Sequence, residues 1–293
     1  MLRIPEILVS QFMDLSVITV TWNSQDFIEK QIKSVVLGCK DITYEQIVVD
    51  NASTDKTVEL VEKYSSVKLI KNLENLGFAQ GNNKGSEISQ GEFLLFLNAD
   101  NEIEPGSLDK MIEWMKNHPD VGIASCKLVD QFGQFNEEAK PRRFPKVWEQ
   151  VLLLLKVPHF IPMILDNYLM KDFDPEKEQT VDSVRGSFLL MRREVYKKLG
   201  WAFDPRYFIW FEDVDTCREC SKAGYKVMYT PIITCIDYVG QSFKKRKSYW
   251  KQKNFSKSML TYFKKWEPMS KWIWIAIFRP VGILLAFLVD LFV

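Results

Sequence analysis

The fold is decided by two short apolar runs, LSVITVT at Leu15–Thr21 and QIVVD at Gln46–Asp50. Both are rich in β-branched residues and more apolar than a half-exposed strand, which is typical of strands buried on both faces of a parallel sheet. Between them, Asp26–Leu37 carries apolar residues at helical spacing. A strand, a helix and a second strand in this order predict a βαβ unit with a right-handed crossover.

The same alternation continues to Asp100. Helices are predicted at Thr54–Tyr64 and up to about Ser89, and strands at Val67–Ile70 and Phe93–Asn98. We therefore predict an α/β fold with a mainly parallel, Rossmann-like sheet flanked by helices. Ligands of such sheets bind beyond the carboxyl ends of the strands. The polar residues that follow the predicted strands are Asn23, Asp50, Asn51, Asn98 and Asp100.

The composition limits the class of protein. The chain has 293 residues, 46% hydrophobic and 26% charged, which excludes a disordered or collagen-like chain and leaves room for one large domain or two fused lobes. Five scattered cysteines lack the spacing of a secreted disulfide framework, so we expect a reducing cytosol. The N-terminus, interrupted by Glu6 and Asp14, lacks the apolar core of a signal peptide.

The end of the chain is basic and aromatic, then apolar. Phe243–Lys271 contains ten basic residues against one acid, although the whole chain has a net charge of only +1. The apolar stretch Trp272–Val293 follows, interrupted at Arg279, Pro280 and Asp290. Basic residues, aromatic anchors and an adjoining apolar segment favour an anionic membrane surface over nucleic acid as the partner. The apolar stretch is barely long enough to span a bilayer, and it could equally lie in the interface as a helix pair bent at Pro280.

Two polar segments are candidates for ligand contact. Asp50–Asp55 follows a buried strand, where small polar residues either cap the next helix or leave a carboxylate facing the ligand crevice. Asn75–Gly85 is dense in glycine and asparagine, whose accessible backbone and side-chain amides suit a phosphate or a base. This second segment is neither a dinucleotide fingerprint nor a P-loop.

Two acidic segments are candidates for the chemistry. Asn98–Asp100 ends a strand, and its carboxylate either holds a hard divalent cation or belongs to a polar turn. Glu212–Asp215 contains three carboxylates directly after the aromatic run Tyr207–Phe211. Neighbouring apolar rings raise the pKa of a carboxyl, as a general base requires, whereas a plain helix N-terminus also favours acidic residues.

In this order, the motifs resemble those of the family 2 glycosyltransferases of the GT-A fold, and most of all the bacterial rhamnosyltransferase-like branch. The matching segments are Val20–Ser24, Val48–Asp55, Asn75–Gly85, Leu97–Asp100, Arg185–Arg193, and Phe211–Asp215 with Arg218. The resemblance implies a GT-A domain with a nucleotide-sugar-binding half, 1–104, and a half that binds the acceptor and holds the catalytic residues, 105–242. The remaining residues, 243–293, are expected to form a membrane-associated helical tail.

The resemblance also implies roles for single residues. Asp213 is the catalytic base, and Glu212 hydrogen-bonds the hydroxyl groups of the acceptor. Asp100 binds Mg²⁺ or Mn²⁺, and Asp237 takes the place of a histidine that often helps to bind the metal in this branch; an oxygen ligand suits either cation. The residues implied in nucleotide-sugar binding are Thr21, Asn23, Asp50, Asn51, Asn75, Gly77, Asn83 and Asn98.

The implied function is inverting transfer of a sugar, with rhamnose as one candidate, from a dTDP-, UDP- or GDP-linked donor to a hydroxyl of a lipid-linked or membrane-proximal glycan. The apolar segments Val147–Met170 and Trp272–Val293 are expected to hold the protein at the cytoplasmic face of the cell membrane, in bacterial surface polysaccharide synthesis. Asn98 and Asp237 depart from the family pattern, which leaves open a catalytically inactive, membrane-associated protein that binds nucleotide sugars or acts as a scaffold. A sugar nucleotidyltransferase is disfavoured, because no glycine-rich loop with a basic residue precedes Asn23.

Overall fold

The computed structural model describes residues 13–238 and 246–292, and within them nine strands form a single sheet. The strands are β1 Leu15–Thr21, β2 Tyr44–Asp50, β3 Val67–Lys71, β4 Phe93–Leu97, β5 Asn101–Ile103, β6 Val121–Val129, β7 Gln179–Thr180, β8 Phe188–Arg192 and β9 Lys226–Asp237. Their order across the sheet is β3-β2-β1-β4-β8-β6-β9-β5, and β7 pairs with β9 outside this path.

The helices of the described residues are α1 Ile28–Gly38, α2 Thr57–Glu62, α3 Gly77–Ile88, α4 Ser107–Asn117, α5 Val147–Leu154, α6 Arg193–Leu199, α7 Glu212–Lys222, α8 Ser248–Trp266 and α9 Met269–Phe292. Two short 3₁₀ helices follow α5, at Val157–His159 and Pro162–Leu165. Helices therefore flank the sheet, as the alternating pattern predicts.

The first half of the sheet is parallel. Strand β1 pairs with β2 on one side and with β4 on the other, and β2 pairs with β3, all in parallel. This confirms the predicted α/β architecture, and β1 has the predicted bounds. Helix α2 is shorter than predicted, because the carboxylate of Asp55 accepts the backbone N–H of Thr57 and caps the turn before it.

The second half of the sheet mixes directions. Strand β8 is antiparallel to both β4 and β6, β9 is parallel to β6, and the short β5 returns antiparallel along β9. The pairing of β5 with β9 places Asn101 opposite Asp237. Residues that are far apart in the chain therefore meet beside the end of β4, where the parallel strands also end.

Both faces of the sheet are buried, as the apolar runs predict. In β4, Phe93, Leu95 and Leu97 belong to one hydrophobic cluster, whereas Leu94 and Phe96 belong to another. Successive side chains of a strand point to opposite faces, so the two clusters lie on opposite sides of the sheet.

Helix α8 is part of the main core. Its residues Met259, Tyr262 and Phe263 are buried in the same hydrophobic cluster as Leu94 and Phe96. The sequence predicted residues 243–293 as a tail separate from 105–242. Helix α8 packs into the main core with residues of 105–242, whereas most of the apolar window of α9 is exposed.

An ion-pair network joins α8 to α7 and to the loop before it. Nζ of Lys265 lies 2.6 Å from a carboxylate oxygen of Asp215 and 3.2 Å from one of Asp204. Nε1 of Trp266 donates to the second oxygen of Asp215 at 2.6 Å. Asp204 and Asp215 are both buried, so Lys265 balances negative charge that water does not reach.

Lys265→Met is expected to lower the free energy of unfolding by about 3–5 kcal/mol, because it leaves the buried carboxylate of Asp215 without its counter-ion, whereas Asp204 keeps its ion pair with Arg206. Lys257→Met makes the same chemical change at an exposed position of α8, and a shift below about 0.5 kcal/mol is expected there. Urea unfolding of the two variants measures the difference. Equal stability of the variants would mean that the network contributes nothing to the fold.

Helix α9 is a single α-helix that continues through Pro280, so the predicted alternative of a helix pair bent there is not formed. Its residues Met269–Leu291 are long and apolar enough to cross a membrane, and only 17% of their most apolar window is buried inside the protein. Gly282 lets α9 approach α5 closely, since a Cβ at this position would lie 3.0 Å from the carbonyl oxygen of Leu154.

Candidate active site

The carboxyl ends of β1 and β2 bring Thr21 and Asp50 together. Oγ1 of Thr21 donates to Oδ1 of Asp50 at 3.0 Å, and the backbone N–H of Ser53 donates to Oδ2 at 2.9 Å. The Ser53 hydroxyl donates to Asp50 as well. Asp50 is buried, and these donors fix its position at the strand end. Its predicted contact with the base of a nucleotide stays a prediction.

Asn23 locks the turn after β1 to the turn after β2. Its backbone N–H donates to Oγ of Ser53 at 2.9 Å, and its Oδ1 accepts the backbone N–H of Thr54 at 2.8 Å. Asn23 has a φ of 53°, a left-handed conformation that asparagine tolerates better than most residues. Asn23 is also exposed, so its side chain is accessible to a ligand at the crevice.

A chain of amides links β2 to the start of α3. Nδ2 of Asn51 donates to the carbonyl oxygen of Gly77 at 2.9 Å, and Oδ1 of Asn75 accepts the N–H of Gly77 at 2.9 Å. Nδ2 of Asn72 donates to Oδ1 of Asn51, and Nζ of Lys84 donates to Oδ1 of Asn72 at 2.7 Å. The sequence assigned no role to Asn72 or Lys84. Lys84 lies within the Asn75–Gly85 segment, but only the folded chain shows that it completes this network.

Gly77 is required by a close contact with the segment that leads to α7. Its φ is +81°, and a Cβ at this position would lie 2.2 Å from the carbonyl oxygen of Phe208. The same oxygen accepts the N–H of Phe78 at 2.7 Å. The start of α3 is therefore attached to the turn that precedes the acidic motif.

Asn83 also attaches α3 to this part of the chain. Its Oδ1 accepts the backbone N–H groups of Ala202 and Phe203, at 3.1 and 3.0 Å. Its Nδ2 donates to the carbonyl oxygen of Phe203 at 2.6 Å. The amide therefore holds this loop, and the predicted contact of Asn83 with the nucleotide stays a prediction.

The residues predicted to bind metal meet where β5 returns along β9. Asp100 lies in the turn between β4 and β5, next to the half-buried Asn98, and its carbonyl oxygen accepts the N–H of Tyr238 at 3.1 Å. Asp237 stands opposite Asn101 in the β5–β9 pairing. Asp237 is buried, with 5% of its surface exposed. The Asp237 carboxylate therefore lies nearer the core than the half-buried Asp100.

The donor set fits a cation that a diphosphate shares. Over residues 13–238 and 246–292, no group of three or more His, Cys, Asp or Glu side chains is placed to enclose a metal ion. Mg²⁺ is usually held by one or two carboxylates together with water and substrate phosphates. Asp100 and Asp237, two oxygen donors at a strand end beside the candidate nucleotide pocket, match that arrangement better than a structural metal site.

The acidic helix α7 begins after a strained turn. Trp210 and Phe211 have φ values of 65° and 68°, which are rare for bulky residues and costly in free energy. Aromatic residues of α8 hold the turn in place. The ring of Phe255 lies 6.0 Å from that of Trp210 and 5.4 Å from that of Phe211, and the ring of Tyr262 lies 5.5 Å from that of Phe211. Helix α8 thus helps to fix the position of the three acids that follow.

Asp213 is the acid of this motif that is held next to α3. Its Oδ2 accepts the N–H of Gly186 at 3.2 Å, and its Oδ1 accepts the N–H of Val214 at 2.8 Å. Gly186 touches Phe78 of α3, because an added Cβ would lie 3.1 Å from that ring. Asp213 therefore lies at the junction of β8, α3 and α7, with 9% of its surface exposed.

The other two acids of the motif have different surroundings. Asp215 is bound by Lys265 and Trp266 in the network described above. Glu212 is buried, and its Oε2 has no hydrogen-bond partner among the described residues. Burial, and next the charge of Asp213, raise the pKa of Glu212 well above its ordinary value. Its carboxyl group therefore favours the protonated form.

Glu212→Gln is expected to gain stability relative to the parent protein as the pH rises. The pKa of Glu212 is higher in the folded parent than in the unfolded chain. The folded state is therefore stabilised by the proton on Glu212 fully below about pH 4.3, and this contribution to the unfolding free energy is lost as the pH rises above that value. The difference in unfolding free energy should therefore grow by up to about 1.4 kcal/mol per pH unit above pH 4.3. Thermal unfolding between pH 4 and 8 measures it, with Glu59→Gln, an exposed residue of α2, as the matched control. A difference that does not depend on pH contradicts the prediction.

Two arginines beside Asp213 were not assigned roles from the sequence. The backbones of Arg142 and Ser183 form two hydrogen bonds of 3.0 Å with each other. Because Arg185 is only two positions after Ser183, this pairing brings Arg142 close to Arg185. The guanidinium of Arg142 lies 5.7 Å from the ring centroid of Tyr168. Burial, and next the charge of Arg185, lower the pKa of Arg142. In the described part of the chain neither arginine forms a salt bridge, although the guanidinium of Arg142 donates to the carbonyl oxygen of Glu138 at 3.1 Å.

The arrangement suits transfer of a group between two substrates. The network around Asn51 and Gly77 forms the crevice at the strand ends, and Asp213 lies across α3 from it. The sequence model of the family described as "Glycosyl transferase family 2" matches residues 16–200, more than half of the chain. The chain belongs to glycosyl transferase family 2.

Two relatives of this family 2 glycosyltransferase are rhamnosyltransferases. The N-acetylglucosaminyl-diphospho-decaprenol L-rhamnosyltransferase of Mycobacterium tuberculosis strain H37Rv is 27% identical over 231 residues, which are 74% of this chain and 73% of the relative. Rhamnosyltransferase WbbL of Escherichia coli K12 is 24% identical over 229 residues, 76% of this chain and 82% of the relative. The predicted resemblance to the rhamnosyltransferase-like branch is therefore confirmed.

A solved structure supports the fold of this family 2 glycosyltransferase. The mannosyltransferase PcManGT from Pyrobaculum calidifontis, in complex with GDP-Man and Mn²⁺, superposes with a TM-score of 0.58 at 20% identity, over 93% of this chain and 72% of that one. The predicted GT-A fold is thereby confirmed, and the protein is a transferase by family.

Proposed function

We propose that this protein transfers a sugar, with inversion, from a nucleotide-diphosphate sugar to a hydroxyl group of a lipid-linked acceptor at the membrane. The observation that carries the proposal is the placement of Asp213. Two backbone N–H groups hold its carboxylate at the junction of the nucleotide-binding half and the acidic helix. Of the three acids of its motif, Asp215 is paired with Lys265, and Glu212 is buried with one carboxylate oxygen that has no hydrogen-bond partner among the described residues.

The reaction is a single displacement. The acceptor hydroxyl oxygen forms a bond to the anomeric carbon while the bond from that carbon to the diphosphate breaks. The hydroxyl proton passes to Asp213, and the nucleoside diphosphate leaves with the bonding electrons. A carboxylate base within reach of the hydroxyl contributes about a hundredfold or more to the rate of such a step.

Asp100, with Asp237 behind it, is proposed to hold Mg²⁺ or Mn²⁺. When bound there, the cation would supply positive charge that offsets the negative charge of the diphosphate leaving group. The neighbour PcManGT is complexed with Mn²⁺ and GDP-Man, which supports this assignment. The nucleotide-lining residues of this chain are proposed to be Thr21, Asn23, Asp50, Asn51, Asn75, Gly77 and Asn98.

The surface of α9 supports an acceptor at the membrane. Six of its exposed apolar residues are spaced three and four apart, so these six share one face of the helix. These residues are Trp274, Ile277, Val281, Leu284, Leu288 and Leu291. The other predicted apolar segment, Val147–Met170, lies beside this face, because the ring centroids of Trp148 and Trp274 are 5.5 Å apart. Three further apolar residues of that segment are exposed as well: Phe160, Ile161 and Met163. Exposed lysines of α8, such as Lys253 and Lys257, suit the anionic surface of a cytoplasmic leaflet.

Replacing Ile277, Leu284 and Leu288 together by glutamate is expected to lower binding to anionic vesicles by about tenfold or more. The reason is that charged groups replace apolar surface that would be buried in the membrane. The matched control places glutamate at Leu73, Ile88 and Phe132, three exposed apolar residues outside this surface. Co-sedimentation with phosphatidylglycerol vesicles compares the two. Point changes are preferred to removal of residues 243–293, because that deletion also removes core residues such as Tyr262. Equal binding of both triple variants contradicts a membrane role for α9.

The activity is tested with purified full-length protein, a panel of dTDP-, UDP- and GDP-sugars, and polyprenyl-diphosphate-linked sugars as acceptors. Release of nucleoside diphosphate together with a longer lipid-linked glycan is the expected result, and inversion is read from the anomeric configuration of the product. A product with the donor's anomeric configuration refutes the inverting step. Donor binding without turnover across the panel would identify an inactive nucleotide-sugar-binding protein instead.

A further inference from the structure

A cavity of about 730 Å³ lies between the segment that follows α5 and the helices α8 and α9. Its walls are mostly apolar and come from all three elements. The apolar residues that line it include Leu155, Phe160, Trp210, Phe255, Leu285 and Val289. We call this cavity the α8–α9 groove.

The α8–α9 groove also contains a lysine that lacks an acidic partner. Nζ of Lys156 donates to Oε1 of Gln252 at 3.1 Å, and within the described residues Lys156 forms no salt bridge. Burial lowers the pKa of Lys156, since the charged form loses water there. Lys251 and His159 line the same groove. An ammonium group in an apolar wall without a counter-ion is costly, and an anionic ligand would offset that cost.

The groove connects the candidate active site with the apolar face of α9. Trp210 lines the groove, and it belongs to the strained turn that leads to Glu212 and Asp213. Leu285 and Val289 line it as well, and in α9 they adjoin the exposed Leu284 and Leu288. A ligand with an anionic group and a long apolar tail fits these surroundings.

We propose that the α8–α9 groove binds the first isoprene units and a phosphate group of a polyprenyl-diphosphate-linked acceptor, with Lys156 contacting the phosphate. This inference rests on the proposed function and names the lipid class of its acceptor. The sugar end of the acceptor then extends past Trp210 toward Asp213. The groove is far smaller than a long polyprenyl chain, so the rest of the chain leaves along α9 into the bilayer.

The test uses full-length protein in detergent with farnesyl diphosphate as the probe, and intrinsic tryptophan fluorescence as the readout, because Trp210 lines the groove. Lys156→Met should weaken binding by about tenfold or more, the loss expected for a charge-assisted hydrogen bond to phosphate. Lys156→Arg keeps the charge and should bind within about threefold of the parent. Lys253→Met, at an exposed position of α8, is the matched control and should bind like the parent. Leu285→Trp fills the groove and should also weaken binding.

Three results overturn the proposal. The first is equal affinity of the parent and Lys156→Met for farnesyl diphosphate. The second is equal binding of farnesol, which has no phosphate, or of inorganic diphosphate, which has no tail. The third is displacement of the probe by phosphatidylglycerol at equal concentration, which would make the groove a general lipid site. Thermal unfolding of each variant verifies that it is folded.

The proposed function and the groove fail in different ways. If the protein transfers sugar to polyprenyl-linked acceptors but Lys156→Met and Leu285→Trp change neither KM for the acceptor nor farnesyl diphosphate binding, only the groove assignment is wrong. If farnesyl diphosphate binds through Lys156 but no donor sugar is turned over, the lipid site stands and the proposed transfer is wrong.

Discussion

Asp213→Asn is expected to lower kcat for sugar transfer by about a hundredfold or more, because the amide cannot accept the proton of the acceptor hydroxyl. The change keeps the size of the side chain. One of the two backbone donors, Gly186 or Val214, then faces the new NH₂ group, since the parent carboxylate accepts a hydrogen bond from each. We expect the affinity for the donor to change little, because Asp50, Asn51 and Gly77, which are proposed to bind it, do not take part in the hydrogen bonds of Asp213 with Gly186 and Val214.

The matched control for this prediction is Asp172→Asn, an aspartate of the same half whose side chain is 73% exposed. Steady-state kinetics and a donor-binding measurement are made on both variants. Near-normal turnover of Asp213→Asn would move the base to another group, and Glu212 would be tested next because Asp215 is occupied by Lys265. Loss of donor binding in Asp213→Asn would mean that Asp213 serves binding and not proton transfer.

Asp100→Ala is expected to reduce transfer to background, and chelation by excess EDTA should do the same to the parent. The physical reason is the charge that develops on the leaving diphosphate, which a divalent cation held by Asp100 neutralises. Asp237→Asn should lower activity less, because Asp237 is buried beside Asn101 and has less access to a ligand than Asp100. Activity with added Mg²⁺ and Mn²⁺, after chelation, measures the requirement.

Asp26→Ala, an exposed residue between β1 and α1, is the matched control for Asp100→Ala. A second readout separates loss of metal binding from loss of folding. Mn²⁺ should raise the affinity of the parent and of Asp26→Ala for the donor, but not that of Asp100→Ala. Full transfer in excess EDTA excludes the metal role, and so does an Asp100→Ala variant that responds to Mn²⁺ like the parent.

The first half of the sheet could be predicted because it depends on local patterns. The apolar runs at β1 and β2 and the helical spacing between them are readable within short windows, and the strands formed where these patterns lie. The second half could not be predicted in the same way. Strand β8 pairs antiparallel with β4 about a hundred residues earlier, and no local pattern encodes that contact.

Local sequence patterns could not decide which acid of the motif Glu212–Asp215 has which role in the candidate site. The sequence left Glu212, Asp213 and Asp215 as candidates, and only the resemblance singled out Asp213. In the fold, these acids have different partners, which are distant in the chain. Asp215 binds Lys265, fifty positions later, and Asp213 accepts a hydrogen bond from the backbone N–H of Gly186, twenty-seven positions earlier. Burial of Glu212 is likewise a property of the packed core.

The sequence by itself determined the family, the parallel half of the fold and the chemical character of the chain end. The parallel half and the character of the chain end depend on residue type and spacing within short segments, and the family depends on the order of several such motifs. Tertiary structure alone decided that α8 is part of the core, that Arg142 meets Arg185, and that Lys156 lines an apolar groove. These features depend on contacts between elements far apart in the chain, and such contacts are set by how all the apolar faces are buried together.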